Sequence, residues 1–187
     1  GETYIPPPNF DKPKAGDKHY YNFIVTKEFA KANDLYLTGQ GDAAIEVMNK
    51  ILANNENDPL LLLQTSVLKV MTLIMMEQYH KAEQETAQTE RLEIKAIGKN
   101  IVSRSLRAEV RYWAGDMQGA GLDAAQVLKA IGDWRFPSSY GSPPIDQAEL
   151  ANVTTGQARA YIILGLVFLS KGYYQEALPW LRLANQT

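Results

Sequence analysis

The stretch YIILGLVFLSKGYYQEALPWLRLA, Tyr161 to Ala184, decides how this chain is read. Its first half is almost wholly apolar, yet Gly165 sits inside it. A Gly-Tyr-Tyr break at 172–174 then precedes a second apolar-periodic run that opens near Ala177. Glycine in a helix interior costs about 1 kcal/mol against alanine, so a glycine kept there needs a structural reason. Close approach of a second helix supplies one, and Ala177 offers the same clearance from the other side. The apolar run Tyr161–Leu169 is far shorter than the ~20 residues that span a bilayer. The other apolar stretch, Pro59 to Met76, is interrupted by Gln64 and Lys69. Both read as buried helices, the first of them half of a helix–turn–helix unit.

The same punctuation recurs. The segments GQGDAA (39–44), EQYHKA (77–82), GDMQGA (115–120) and GYYQEA (172–177) each end in alanine, at intervals of 38, 38 and 57 residues. Two equal intervals followed by a longer one describe a regular array with an insertion of about 19 residues before its last unit. The flanks carry helical periodicity. Phe29, Ala32, Leu35 and Tyr36 fall on one face, and after the turn Ile45, Met48, Ile51 and Leu52 form a second stripe, with Asp42 as the expected N-cap. Asp58-Pro59 marks a restart, because proline at the first helical position has no N–H to leave unsatisfied. Gly98 and Asn100 punctuate the end of the polar helix that follows, and IVSRSLRAEVRYW with MQGAGLDAAQVLKAI makes the third pair.

This pattern resembles the tetratricopeptide repeat, whose signature runs W-x2-L-G-x2-Y, then A-x3-F, then P. Tyr161 takes the Trp place, Leu164 and Gly165 the Leu-Gly pair, Phe168 the Tyr place, and Ala177, Leu181 and Ala184 the second helix. In the third unit Ala108 replaces the glycine, and in the second Val70 does. The first keeps Ala32, Gly39 and Ala44. The resemblance implies an all-α, right-handed solenoid of about four antiparallel helix pairs, at residues 18–55, 58–97, 100–132 and 154–187, with an insert at 133–153.

Outside the pairs, residues 1–17 hold a run of prolines and read as a tether or an extended arm. The prolines at 137, 143 and 144 forbid a continuous helix in the insert, and Asp146-Gln147-Ala148-Glu149 is a capping box that restarts one, with Thr154 or Thr155 as a cap for the final pair. The insert's Trp134, Phe136 and Tyr140 read either as plugs over a repeat junction or as a binding loop. The last helix keeps Leu178, Trp180, Leu181 and Leu183 without a polar cap, which implies further repeats or packing against a second copy.

Composition narrows the chemistry. Nineteen basic residues against 21 acidic ones give a net charge of −2, which argues against nucleic acid as a partner. No cysteine is present, and the two histidines, His19 and His80, do not stand at metal-ligand spacing, so neither a metal nor another cofactor is expected. Gly39-Gln40-Gly41-Asp42 is not followed by Lys-Ser/Thr and is no phosphate loop. Glu83, Glu85, Glu90 and Glu93 read as a solvated helix face, and Glu109 between Arg107 and Arg111 as a salt link. No base–nucleophile pair can be named, and the chain reads as a non-enzyme.

The resemblance implies a concave groove lined by the first helix of each pair. Its candidate contacts are Asn33, Tyr36, Met71, Glu109, Tyr112 and Leu166, within a wider set that includes Gln64, Ser105 and Arg159. Such a groove, apolar and aromatic with adaptable methionine, suits an amphipathic helix or extended peptide of a partner protein. Taken singly, each of these side chains reads as ordinary core ahead of a ligand contact. The expectation is a protein-interaction scaffold without an integral membrane segment. The alternatives are a small apolar-ligand-binding protein beside a transporter and a structural oligomer joined through its C-terminal face. The cysteine-free chain and its proline-rich leader incline the reading to a bacterial envelope, outside the cytoplasm.

Overall fold

The computed structural model describes residues 26–135 and 147–186, with side chains at 133–135 and 147–152 left aside. Among the described residues every regular element is an α-helix. The elements are α1 (Lys27–Leu37), α2 (Gly41–Ala53), α3 (Pro59–Met75), α4 (Tyr79–Ile97), α5 (Ile101–Trp113), α6 (Met117–Arg135), α7 (Gln147–Ser170) and α8 (Tyr174–Gln186). Each helix packs on the next in sequence, and α1, α3, α5 and α7 also touch in succession.

Four links of equal length, at 38–40, 76–78, 114–116 and 171–173, join α1 to α2, α3 to α4, α5 to α6 and α7 to α8. In each the middle residue is left-handed, with φ of 76° at Gly39, 59° at Glu77, 91° at Gly115 and 78° at Gly172. The next residue's N–H then reaches back to a carbonyl of the first helix. These bonds are Gln40 to Leu35 at 2.9 Å, Gln78 to Leu73 at 2.9 Å, Asp116 to Arg111 at 2.8 Å and Tyr173 to Phe168 at 3.0 Å. This is one C-terminal cap used four times, and it satisfies carbonyls that a helix end would otherwise leave open. Five residues after each left-handed position comes a fully buried alanine: Ala44, Ala82, Ala120 and Ala177. The four recurring segments are four copies of one structure.

Glycine at 165 is explained by its neighbours. A Cβ there would stand 2.5 Å from Leu181 Cδ2 and 2.7 Å from Leu181 Cγ, so α7 and α8 approach at that point closer than a side chain permits. The same register position is filled by Ala32, Val70 and Ala108, all fully buried. The clusters around these positions cross from pair to pair. Leu61 and Leu68 of α3 pack with Phe29, Ala44 and Met48, and Val102, Leu106 and Val110 of α5 with Val70 and Ala82. Ala160, Ile163 and Val167 of α7 pack with Ala108, Ala120 and Ala124.

Helix starts follow local chemistry in part. Thr26 Oγ1 accepts from the Phe29 N–H at 3.1 Å, and Asp58 Oδ1 from the Leu60 N–H at 2.8 Å with Pro59 opening α3. Gly98, with φ of 68°, closes α4. Asp42 is not the cap of α2, which begins one residue earlier at Gly41 behind Gln40; the recurring turn sets that start. Likewise Thr154 and Thr155 cap nothing, because α7 begins at Gln147, where the 146–149 box places a restart. The helices thus run further into the proline-rich stretch than the sequence suggested: α6 continues to Arg135. Among the described residues one segment, Val153–Ser170, is long and apolar enough to cross a membrane, and 61% of it is buried inside the fold. A core helix meets the same test, and its apolar faces are spent on α5, α6 and α8.

Candidate functional site

Four helices, α1, α3, α5 and α7, carry the side chains singled out from the sequence. Asn33 is buried on α1, and Tyr36, one turn on, is half-buried against the first apolar cluster. Met71 on α3 and Tyr112 on α5 are half-buried against apolar neighbours, and Tyr112 meets Trp113 edge-on with ring centroids 5.1 Å apart. Leu166 is half-buried on α7.

Three of these helices converge on one polar centre. Arg159 of α7 is 2% exposed and donates from Nε to Glu109 Oε1 at 3.0 Å and from Nη1 to Ser105 Oγ at 2.9 Å. Tyr36 of α1 lies within electrostatic reach of the same pair. Burial pushes its hydroxyl pKa up from 10.0, the Glu109 carboxylate pushes the same way, and Arg159 pulls it down. The salt link expected of Glu109 therefore exists, but with a residue 50 positions away rather than with its neighbours Arg107 and Arg111. A buried guanidinium is tolerated when its charge is matched and its N–H groups are used, and Glu109 and Ser105 do both. Gln64 on α3 and Gln157 on α7 are also buried, and Gln157 donates to the Tyr161 hydroxyl at 3.0 Å. The face is polar in the middle and apolar at Met71, Tyr112 and Leu166, not apolar throughout.

Arg107 and Arg111 serve a second network. Arg107 grips the buried Asp123 of α6 through Nε at 3.0 Å and Nη2 at 2.8 Å. Arg111 donates to the same carboxylate at 2.7 Å and pairs with Glu83 at 3.1 Å. Arg107, Arg111 and Glu83, with Glu90, Ser103 and Arg104, line a cleft of about 140 Å³ between α4 and α5.

The carboxylates of α4 are not one wet face. Glu83 is exposed, but Glu85 is 6% and Glu93 0% exposed. Glu85 pairs with Lys69 at 2.8 Å and accepts from Ser66 at 3.2 Å. Glu93 caps the next helix: its oxygens accept from the N–H groups of Ile101 at 2.8 Å, Val102 at 3.0 Å and Ser103 at 2.8 Å. Burial raises its pKa above 4.5, with the bonds from Ser103, Val102 and Ile101 acting in the opposite direction. A helix whose own N-cap, Asn100, makes no side-chain bond gets its anion from another helix.

Chemically, the arrangement can hold charges and hydrogen bonds in place. Among the described residues no three His, Asp or Glu gather to hold a metal ion, and His80 is exposed beside Gln84. The side chain of Trp134, and Phe136, Tyr140 and the arm 1–17, lie outside the described residues. No family model matches the chain, nor does any curated protein or solved structure.

Proposed function

We propose that this chain is a tetratricopeptide-like solenoid of four helix pairs that works as a protein-interaction scaffold without catalysis, taking a polypeptide segment across the face of α1, α3, α5 and α7. The observation that carries the reading is the convergence of Tyr36, Glu109 and Arg159 from the first, third and fourth of these helices. A buried Arg159 linked to a half-exposed face supplies a fixed electrostatic reference for a peptide backbone, while Met71, Tyr112 and Leu166 offer apolar contacts on either side. The fourfold repetition of one turn and one buried alanine supports the repeat architecture. On this reading the pairs are mounts, and recognition lies in what the odd-numbered helices present.

The test is a photo-crosslinking capture with benzoylphenylalanine at position 112, run on the otherwise native chain and on the Tyr36→Ala variant. A defined polypeptide crosslinked by the first and lost from the second, with helicity unchanged by circular dichroism, supports the groove. Equal crosslinking by both removes the convergence as its basis.

A further inference from the structure

The three junctions between successive pairs are closed by different chemistry at equivalent positions. The residue after each buried alanine stands on the second helix of a pair: Ile45, Glu83 and Gly121. In the first helix of the next pair, the register sets Leu73, Arg111 and Phe168 against them. At the first junction Ile45 packs against the cluster that contains Leu73. At the third, a Cβ on Gly121 would lie 3.7 Å from Val167, ordinary van der Waals contact, so α6 comes close to α7 there. The middle junction has an ion pair instead. Arg111 donates to Glu83 Oε1 from Nε at 3.2 Å and from Nη2 at 3.1 Å, with the Arg111 and Glu83 side chains 28% and 45% exposed. Further along the second helices the contrast repeats, with Leu52 and Leu128 at the place of Glu90. Both glutamates line the cleft of about 140 Å³ between α4 and α5.

These closures respond differently to the solvent. Apolar contact is not weakened by salt, whereas an exposed ion pair contributes little net and is screened as ionic strength rises. The inner side of the middle junction is firmly held. Val70, Leu73 and Ala82 pack with Val102, Leu106 and Val110 as one seam, and Glu93 ties the end of α4 to the first turn of α5 through three N–H groups. A packed seam on one side and a solvated ion pair on the other make a hinge. We infer that the array bends at this joint. The pairs α1–α2 and α3–α4 swing as one body against α5–α6 and α7–α8 about the apolar seam, and the Glu83–Arg111 pair is the latch that holds the joint closed at low ionic strength. Arg111 keeps Asp123 as a second partner at 2.7 Å, so the latch opens without leaving its guanidinium unpaired. A polypeptide laid across α1, α3, α5 and α7 would straddle the joint, but the hinge is argued from the junctions alone and does not depend on that reading.

The chain has no cysteine, so engineered pairs can be spin-labelled without background. Asp42, His80 and Gln118 are exposed and equivalent, each the second residue of its helix, α2, α4 or α6. Dipolar electron paramagnetic resonance on the full chain with His80→Cys and Gln118→Cys reads the middle joint, and Asp42→Cys with His80→Cys reads the first as a control. Spectra are compared at about 10 mM and about 1 M sodium chloride, where the screening length falls from about 30 Å to about 3 Å. A rotation of about 10° about the seam carries α6, roughly 10–15 Å away at helix packing distances, through about 2 Å. The expected result is an 80–118 distribution that broadens and lengthens by about that much in high salt, and a 42–80 distribution that does not move. Glu83→Gln should show the high-salt distribution already at low salt. Glu83 is exposed, so its change leaves the core intact, which circular dichroism checks. Two results overturn the inference: an 80–118 distance that ignores both salt and Glu83→Gln, which makes the joint rigid, or an equal change at 42–80, which spreads the bending along the array.

Discussion

Adding one methyl group at residue 165 isolates the contact that opened the sequence reading. Gly165→Ala has two opposed consequences. Helix propensity favours alanine in the interior of α7 by about 1 kcal/mol. Against it, the new Cβ falls 2.5 Å from Leu181 Cδ2 and 2.7 Å from Leu181 Cγ, with the Ala177 carbonyl oxygen at 3.5 Å. The nearer atom is a side-chain tip, but Cγ is a branch point close to the α8 backbone, so α8 must shift. Overpacking of this kind costs about 1–3 kcal/mol. The net expectation is destabilisation of about 1 kcal/mol. Leu181→Ala alone loses part of a leucine's burial, about 1–3 kcal/mol for a half-buried site. In that background the obstruction is gone, and Gly165→Ala should instead stabilise by about 1 kcal/mol. The coupling between the two sites is then about 2 kcal/mol, with a change of sign. Urea unfolding followed by circular dichroism at 222 nm on the four chains of the cycle measures it. An effect of Gly165→Ala with the same sign in both backgrounds would refute the packing account.

Three further outcomes are expected. Glu93→Ala strips the acceptor from three N–H groups at the buried start of α5 and should cost about 3 kcal/mol or more; Glu93→Gln, which keeps one oxygen, should cost less, and urea unfolding free energies within about 1 kcal/mol of wild type for both would dismiss the capping role. Glu77 holds the left-handed turn position that glycine fills in the other three links, so Glu77→Gly should stabilise the chain by about 0.5–1 kcal/mol, read as a higher melting temperature; a lower one contradicts the strain argument. Tyr36, whose pKa is raised, contributes stability that is complete below pH 10 and is lost as pH rises through its folded value, so wild type should lose stability in alkali that Tyr36→Phe keeps. Glu109→Gln removes one of the raising causes and should move the Tyr36 ionisation to lower pH, read at 295 nm as the difference between each chain and its Tyr36→Phe counterpart; an ionisation unmoved by that change would place Glu109 out of reach of the ring.

Local features were legible from the residues, and non-local ones were not. The turns could be read because a left-handed glycine and a buried alanine five residues on are short-range requirements, and Asp58-Pro59 was equally self-contained. Glu77 fits the turn only by register, since glutamate gives no hint of a positive φ. Glu85 and Glu93 looked solvated because α4 is polar along its length, and their partners, Ser66, Lys69 and the first N–H groups of α5, stand on other helices. No local signal pointed to Glu93: Asn100 is itself a favoured N-cap residue, and only the structure shows that its side chain makes no capping bond. The bond from Arg159 to Glu109 crosses 50 residues, and no periodicity predicts it. The polar contact of Arg159 with Glu109 and Ser105 was hidden for the same reason.

The four equal turns bear on how the chain reaches its structure. Each closes two helices through bonds between residues five positions apart, so the loop-closure entropy that limits most folds is small and is met four separate times. Contacts run chiefly between consecutive helices, which is a low contact order and suits rapid folding. Three of the hairpins close on glycine and one on Glu77. The pair α3–α4 is accordingly the one in which closure is intrinsically least favoured, and pulsed hydrogen exchange should find its turn amides protected after those at Gly39, Gly115 and Gly172.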